Sequence, residues 1–290
     1  MLLAVQAAAM VAPKPLRLLT FDLDDTLFPC GQVVQRANSA LGIALSENGG
    51  DQAADIQGTI RQVRKQHAAS GGDPVTYTEL RYRAIAEILG NPRRNTVEKC
   101  FETWLDERQA AANELLFEGV VDAVSSVRRD FPECIIGAVT NARGDPRGMP
   151  RLASLFDFCV SGEDESVWPN RKPSPLIYEH ALRVASTAES MGFDGMGTGA
   201  DSFGVGLLRD AWVHVGDCLL NDVEASKRAG AQTVWFDGEA GELNSFSTAS
   251  PEEEARRIEA RAKALAAGYV DERIESIAAL PHALEKLLLR

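Results

Sequence analysis

The segment Leu18-Leu-Thr-Phe-Asp22-Leu-Asp24-Asp25-Thr26-Leu-Phe28 constrains this chain more than any other. Its apolar start is short, β-prone and set between Pro15 and Pro29, which predicts a buried strand. Asp22 and Asp24 are two apart, so on extended backbone both project to one side. Carboxylates converging at a strand end repel each other unless a cation or a shared proton relieves them. A solvated turn is the plainer account of a lone Asp-x-Asp. The pattern returns downstream, however: Ala211-Trp-Val-His-Val-Gly-Asp217 is a second apolar run ending in acid, with Asp222 close behind. Two strands ending in carboxylates form the oxygen donor set that a hard cation such as Mg²⁺ prefers.

Asp22-Leu-Asp24-Asp25-Thr26 resembles the first motif, Asp-x-Asp-x-Thr, of the haloacid dehalogenase superfamily in its phosphatase form. Thr140, closing the apolar run Ile135-Ile-Gly-Ala-Val-Thr140-Asn141, matches the second motif. Lys172 in Arg171-Lys172-Pro173 matches the third, and Gly216-Asp217-Cys-Leu-Leu-Asn-Asp222 the fourth. The four stand in the family's order. In the family, the Asp22 carboxylate and the backbone carbonyl at the Asp24 position also touch the metal. Residue identity separates the family's reaction classes. Its dehalogenases generally lack an acid at the Asp24 position, because halide leaves without a proton. Its phosphonate-cleaving members also lack that acid and use a cap lysine; its ATPases carry Lys-Thr there and membrane spans. Asp24 therefore favours cleavage or transfer of a phosphate ester.

The same residues make chemical sense one by one. Phosphoryl transfer needs an in-line nucleophile, a proton donor for the leaving oxygen and positive charge around the equatorial oxygens. Asp22 suits the nucleophile and Asp24 the general acid and base. Thr140 offers a hydroxyl and Asn141 an amide or N–H to phosphate oxygens. Lys172 offsets the charge of nucleophile and substrate. Asp217 is the best further Mg²⁺ ligand, and Asp222 a water-mediated one. Each has a plainer reading alone: a turn for Thr140-Asn141, a solvated first helical turn for Lys172, a helix cap for Asp222 before Val223–Ala229.

The chain has 290 residues, enough for one large domain or two smaller ones. The net charge of −12 argues against nucleic acid as a partner, and no run of apolar residues is long enough to span a membrane. Cys30, Cys100, Cys134, Cys159 and Cys218 are scattered and odd in number, which fits a reducing, cytoplasmic compartment. Cys30 and Cys218 adjoin the acidic motifs and are candidates for oxidation. The apolar start Met1–Ala12 lacks a preceding positive charge and reads as a helical extension, not a signal.

Residues 32–117 are helical in pattern. Apolar positions recur at helical spacing over Val33–Leu45, Ala53–His67, Tyr77–Leu89 and Asn95–Leu116, with Phe101, Trp104 and Leu105 expected inside. By resemblance this is a cap inserted after the first motif, hinged near 29–31 and 118–119. Arg61, Arg64, Lys65, Arg81 and Arg83 are its candidates for substrate contact. From Val120 onward strands and helices alternate, predicting a doubly wound, mostly parallel sheet with sites at the strands' carboxyl ends. The expected division is an extension at 1–15, a Rossmann-like core at 16–31 and 118–290, and the helical cap at 32–117. Insertions are expected near 191–206 and 237–267.

The sequence thus leads to a Mg²⁺-dependent phosphomonoester hydrolase acting on a small phosphorylated metabolite through phospho-Asp22. A sugar-phosphate mutase and an unproductive binding protein on the same fold are the alternatives. Monomer and homodimer are equally compatible.

Overall fold

The computed structural model describes residues 14–192, 203–238, 255, 258–259, 262–263 and 265–290. Strands β1 (Leu18–Phe21), β2 (Ile135–Thr140), β3 (Phe158–Ser161), β4 (Trp212–Gly216), β5 (Gln232–Phe236) and β6 (Glu272–Ile274) form one sheet in the order β3-β2-β1-β4-β5-β6. Every pairing is parallel, with Leu18 in register with Ile135 on one side and Trp212 on the other. All residues of β1, β2 and β4 are buried, as strands covered on both faces must be. On one face, Leu19, Phe21, Ile136, Val213 and Val234 pack against α5 (Val120–Asp130) and the C-terminal helix α9 (Leu280–Leu288). On the other, Leu18, Val139 and Trp212 pack against α6 (Pro175–Gly192), α7 (Phe203–Asp210) and α8 (Ala225–Ala229). The sheet is doubly wound. Chain order runs outward from β1 in both directions, so the crevice between β1 and β4 is the switch point where such folds bind ligands.

Between β1 and α5 stand four helices, α1 (Cys30–Glu47), α2 (Ile56–Ala69), α3 (Tyr77–Ile88) and α4 (Arg94–Glu114). α1 lies along α4 and α2 along α3. They enclose their own cluster of Leu41, Leu45, Ile60, Leu80, Ile85, Phe101 and Trp104, while Leu105 is only partly buried. Asp55 and Thr76 cap α2 and α3 by accepting from the N–H groups of Gly58 and Glu79. The chain enters and leaves this bundle side by side, for the N–H of Phe117 donates to the carbonyl of Leu27 at 2.9 Å.

Some local expectations shift. Asp222 does not cap a helix over Val223–Ala229. It lies inside a π-type turn, Leu219–Glu224, that precedes α8, and its carboxylate turns inward to accept from the N–H of Cys218 at 3.0 Å. α6 runs on to Gly192 and α7 starts at Phe203, both inside the stretch expected as an insertion. The remainder of that insertion, the extension at 1–13 and most of 237–267 lie outside the described residues. No helix among the described residues is long and apolar enough to cross a membrane.

Candidate active site

β1 ends at Phe21, and the N–H of Asp22 still bonds to the carbonyl of Val215 on β4. The chain then turns sharply, with Asp25 in left-handed backbone (φ 62°) and its side chain accepting from the N–H of Cys30 at 2.9 Å. The turn ends strand alternation, so Asp22 and Asp24 do not converge on one cation. Asp22, 6% exposed, faces inward to Lys172; Asp24 meets Arg108 of α4, whose Nη2 lies 2.7 and 3.0 Å from its two carboxylate oxygens.

Lys172 is the hub. Its ammonium, on a residue 4% exposed, donates to Asp22 Oδ1, to Asp222 Oδ1 at 2.7 Å and to the carbonyl of Val139 at 2.9 Å. Behind Asp222, the Tyr178 hydroxyl donates to the carbonyl of Asn221 at 2.7 Å. His214 on β4 sits 3.5 Å from Asp222 and bonds through Nδ1 to Thr20 at 2.8 Å. Burial pushes this imidazole down, so it is neutral near pH 7. The Thr26 hydroxyl lies 3.4 Å from both Asp22 Oδ2 and Asp217 Oδ1 and accepts from the N–H of Asp217 at 3.1 Å. Asn141 donates to the carbonyl of Lys172 at 3.1 Å, while its Oδ1 is buried without a partner. Asp22, Asp24, Thr140, Asn141, Lys172, Asp217 and Asp222 therefore all line one pocket of about 760 Å³ between the sheet and the bundle.

Gly216 makes room for this cluster. A Cβ there would lie 2.4 Å from the Cβ of Asp222. Gly216→Ala is expected to push the π-type turn away from Lys172, lowering stability by about 1–3 kcal/mol, the usual cost of overpacking. Urea denaturation measures this, and an unchanged midpoint would refute the close packing.

Electrostatics mark the cluster as short of positive charge. Burial pushes Asp22 up to about 7 against the pull of Lys172, with Asp222 and Asp24 adding to the rise. Burial and then Asp222 and Asp22 push Asp217 well above the carboxylate range. For Asp222, burial acts to raise the value, but Lys172, aided by His214, holds it down at about 2. Asp22 and Asp222 share one ammonium, and Asp217 stands beside them. Asp22, Asp217 and Asp222 offer oxygens within 4.8 Å of one another, and such an anionic, all-oxygen set fits a hard divalent cation. The Asp24 carboxylate is not among them.

Arg108 escapes the sequence reading, which weighed five other basic residues. Of those, Arg61, Arg64 and Arg81 line the pocket, whereas Lys65 is exposed and Arg83 pairs with Glu79 and His67. A signal existed: Arg108 continues the buried stripe of Phe101, Trp104, Ala111 and Ala112 on α4, where a charge needs a reason. All five cysteines are unpaired. Burial and Asp222 push Cys218 up to about 12, and burial and Asp24 push Cys30 well above the thiol range. Neither is an oxidation-prone thiolate.

The family model of the haloacid dehalogenase-like hydrolases matches residues 16–230. The chain belongs to that family. Among solved structures, a 2-haloacid dehalogenase from Pseudomonas syringae pv. Tomato DC3000 superposes with a TM-score of 0.61 at 22% identity, covering 94% of this chain and 99% of that one. A β-phosphoglucomutase-like protein from Thermotoga maritima gives 0.51 at 17% identity, over 94% and 100%. CbbY from Rhodobacter sphaeroides, solved with phosphate, gives 0.51 at 18%, over 93% and 99%. At these identities the likeness is one of fold. Comparison with curated proteins gives no match.

Proposed function

We propose that this hydrolase cleaves a phosphate monoester of a small metabolite, with Asp22 as the phosphoryl acceptor. The observation that carries the reading is the division of labour between two carboxylates at the β1 end. Asp22 is buried against Lys172, Asp217 and Asp222, while Asp24 stands apart on Arg108. A dehalogenase needs the first acid but has no proton to give to halide; Asp24 is the group that an ester oxygen requires.

In the first step an Asp22 oxygen attacks phosphorus and the ester P–O bond breaks. The leaving oxygen takes the Asp24 proton and departs as an alcohol. In the second, Asp24 takes a proton from water, whose oxygen attacks phosphorus and releases phosphate, restoring the Asp22 carboxylate. Lys172 stabilises Asp22 throughout and, with Thr140 and Asn141, holds the phosphoryl oxygens. Asp22, Asp217 and Asp222, with the backbone carbonyl of Asp24, would hold Mg²⁺. When bound, the ion supplies charge neutralisation at the phosphoryl group. The α1–α4 bundle, acting as a cap, excludes water and selects the leaving group.

Asp24→Asn provides the test. With esters of alcohols it is expected to lose about 10²–10⁴ in kcat, the usual worth of general acid–base catalysis. With p-nitrophenyl phosphate, whose leaving group needs no proton, the loss in the formation of phospho-Asp22, read as the p-nitrophenol burst, is expected to be far smaller. Equal losses would remove Asp24 from the acid role. Interconversion of sugar phosphates driven by a bisphosphate would replace hydrolysis by transfer.

A further inference from the structure

In a chain of net charge −12, the wall that the α1–α4 bundle presents to the pocket carries four arginines, Arg61, Arg64, Arg81 and Arg108, and no carboxylate among the described residues. Two of the four are buried: Arg81 is 9% exposed and Arg108 2%. Arg108 has an ion-pair partner: its Nη2 holds Asp24, while its Nη1 is buried against Gly144 without a hydrogen-bond partner. Arg81 has no such ion-pair partner among the described residues. Its guanidinium stacks 3.7 Å above the Trp104 ring and Nη1 donates to Asn38 Oδ1 at 3.1 Å, an acceptor it shares with Trp104 Nε1. Its remaining N–H groups have no acceptor, and it forms no ion pair, among the described residues. Burial and then the like charge of Arg108 lower its pKa to about 9, with Glu163 pulling weakly the other way. Glu163 is itself bonded to Thr78 and paired with Arg143, so Arg81 has no carboxylate in direct contact among the described residues, and a buried guanidinium beside a second one is costly in that state. Arg81 lines the pocket, from which an anion can reach it.

We infer that the substrate carries a second anionic group, a carboxylate or another phosphate, and that Arg81 receives it, with Arg61 and Arg64 beside it on the same wall. The inference rests on the reading of Asp22 and Asp24 as the ester-cleaving pair. Because Arg108 touches Asp24, which serves the leaving oxygen, the leaving group itself bears this second charge. A planar guanidinium already held over an indole is preorganised for a carboxylate or phosphate edge. Trp104 and Asn38 fix its plane, so little side-chain freedom is lost on binding.

The experiment compares ethyl phosphate, phosphoglycolate and ethane-1,2-diyl bisphosphate, which share a two-carbon frame and differ in the terminal group. Wild type is expected to prefer at least one of the two charged esters to ethyl phosphate by about tenfold or more in kcat/KM, the scale of one charge-assisted hydrogen bond. The favoured one identifies carboxylate or phosphate. Arg81→Gln is expected to bring that ratio close to one, and Arg81→Lys to keep part of it. No preference in the wild type, or a preference that survives Arg81→Gln in a folded protein, overturns the inference. If none of the three is hydrolysed, p-nitrophenyl phosphate tests the ester-cleaving reading separately, and that reading fails if this ester too is untouched. Calorimetric titration of the wild type with the same compounds then decides the inference, on the same ratio taken in Kd.

Discussion

Asp22→Asn is expected to lower phosphate release by at least about 10⁴-fold, as loss of a covalent nucleophile does, and yet to leave the metal-free protein more stable at neutral pH. The two effects share one cause. Asp22 is held among Asp217, Asp222 and Asp24 in a buried site, and burial outweighs the attraction of Lys172, so its pKa rises from 3.8 to about 7. A carboxylate whose folded pKa lies above its unfolded one binds protons more tightly in the folded state. Folding stability therefore falls as pH rises from about 4 to about 7, and the whole cost, on the order of a few kcal/mol, is present above that. Asparagine keeps the shape and never ionises. In chelator at pH 8 the variant should melt above wild type, and the gap should close towards pH 4. Excess Mg²⁺ should raise the wild-type Tm more than the variant's, because the ion relieves charge that the variant lacks. Turnover by Asp22→Asn comparable to wild type would sink the mechanism. A lower Tm than wild type at pH 8 in chelator would show that the Lys172 ion pair outweighs the crowding of acids.

What could be read in the sequence was local. The β1 and β4 runs end in acid within a few residues, and strand–helix alternation after Val120 already implies a doubly wound sheet. The sheet is in fact wholly parallel, with Asp22 and Asp217 at adjacent strand ends. What escaped depends on contacts between distant segments or on a turn that interrupts regular backbone. The pair Arg108–Asp24 spans 84 positions of sequence. Same-side projection of Asp22 and Asp24 assumed a strand that stops at Phe21. A cap role for Asp222 assumed a regular helix where the chain forms a π-type turn around a buried lysine. Periodicity reports which face a residue occupies; it does not report which distant charge faces it.

Lys172→Met tests how far one cation holds the site together. Its ammonium reaches Asp22, Asp222 and the Val139 carbonyl with almost no exposure, so the variant leaves two buried carboxylates without their counter-ion. Removing one partner of a buried pair costs about 3–5 kcal/mol, more than the net worth of the pair, because the stranded charge stays desolvated. The pH dependence separates this from lost packing. In the wild type, Asp222 sits at about 2, below its ordinary 3.8, and so contributes stability above pH 4 that is lost as pH falls through 2. Without Lys172 the main cause of that depression is gone and burial prevails, so the folded pKa moves above the unfolded one. The sign of the contribution reverses: each rise in pH above 4 now weakens the fold. Metal-free Lys172→Met should therefore fall further below wild type at pH 8 than at pH 4.5 in urea denaturation. Asp222→Asn added to it should recover part of the loss, a coupling that independent sites would not show. A deficit that is the same at both pH values, and strictly additive with Asp222→Asn, would reduce Lys172 to a packed aliphatic stem. A pH-dependent, coupled deficit would make it the charge on which Asp22 depends.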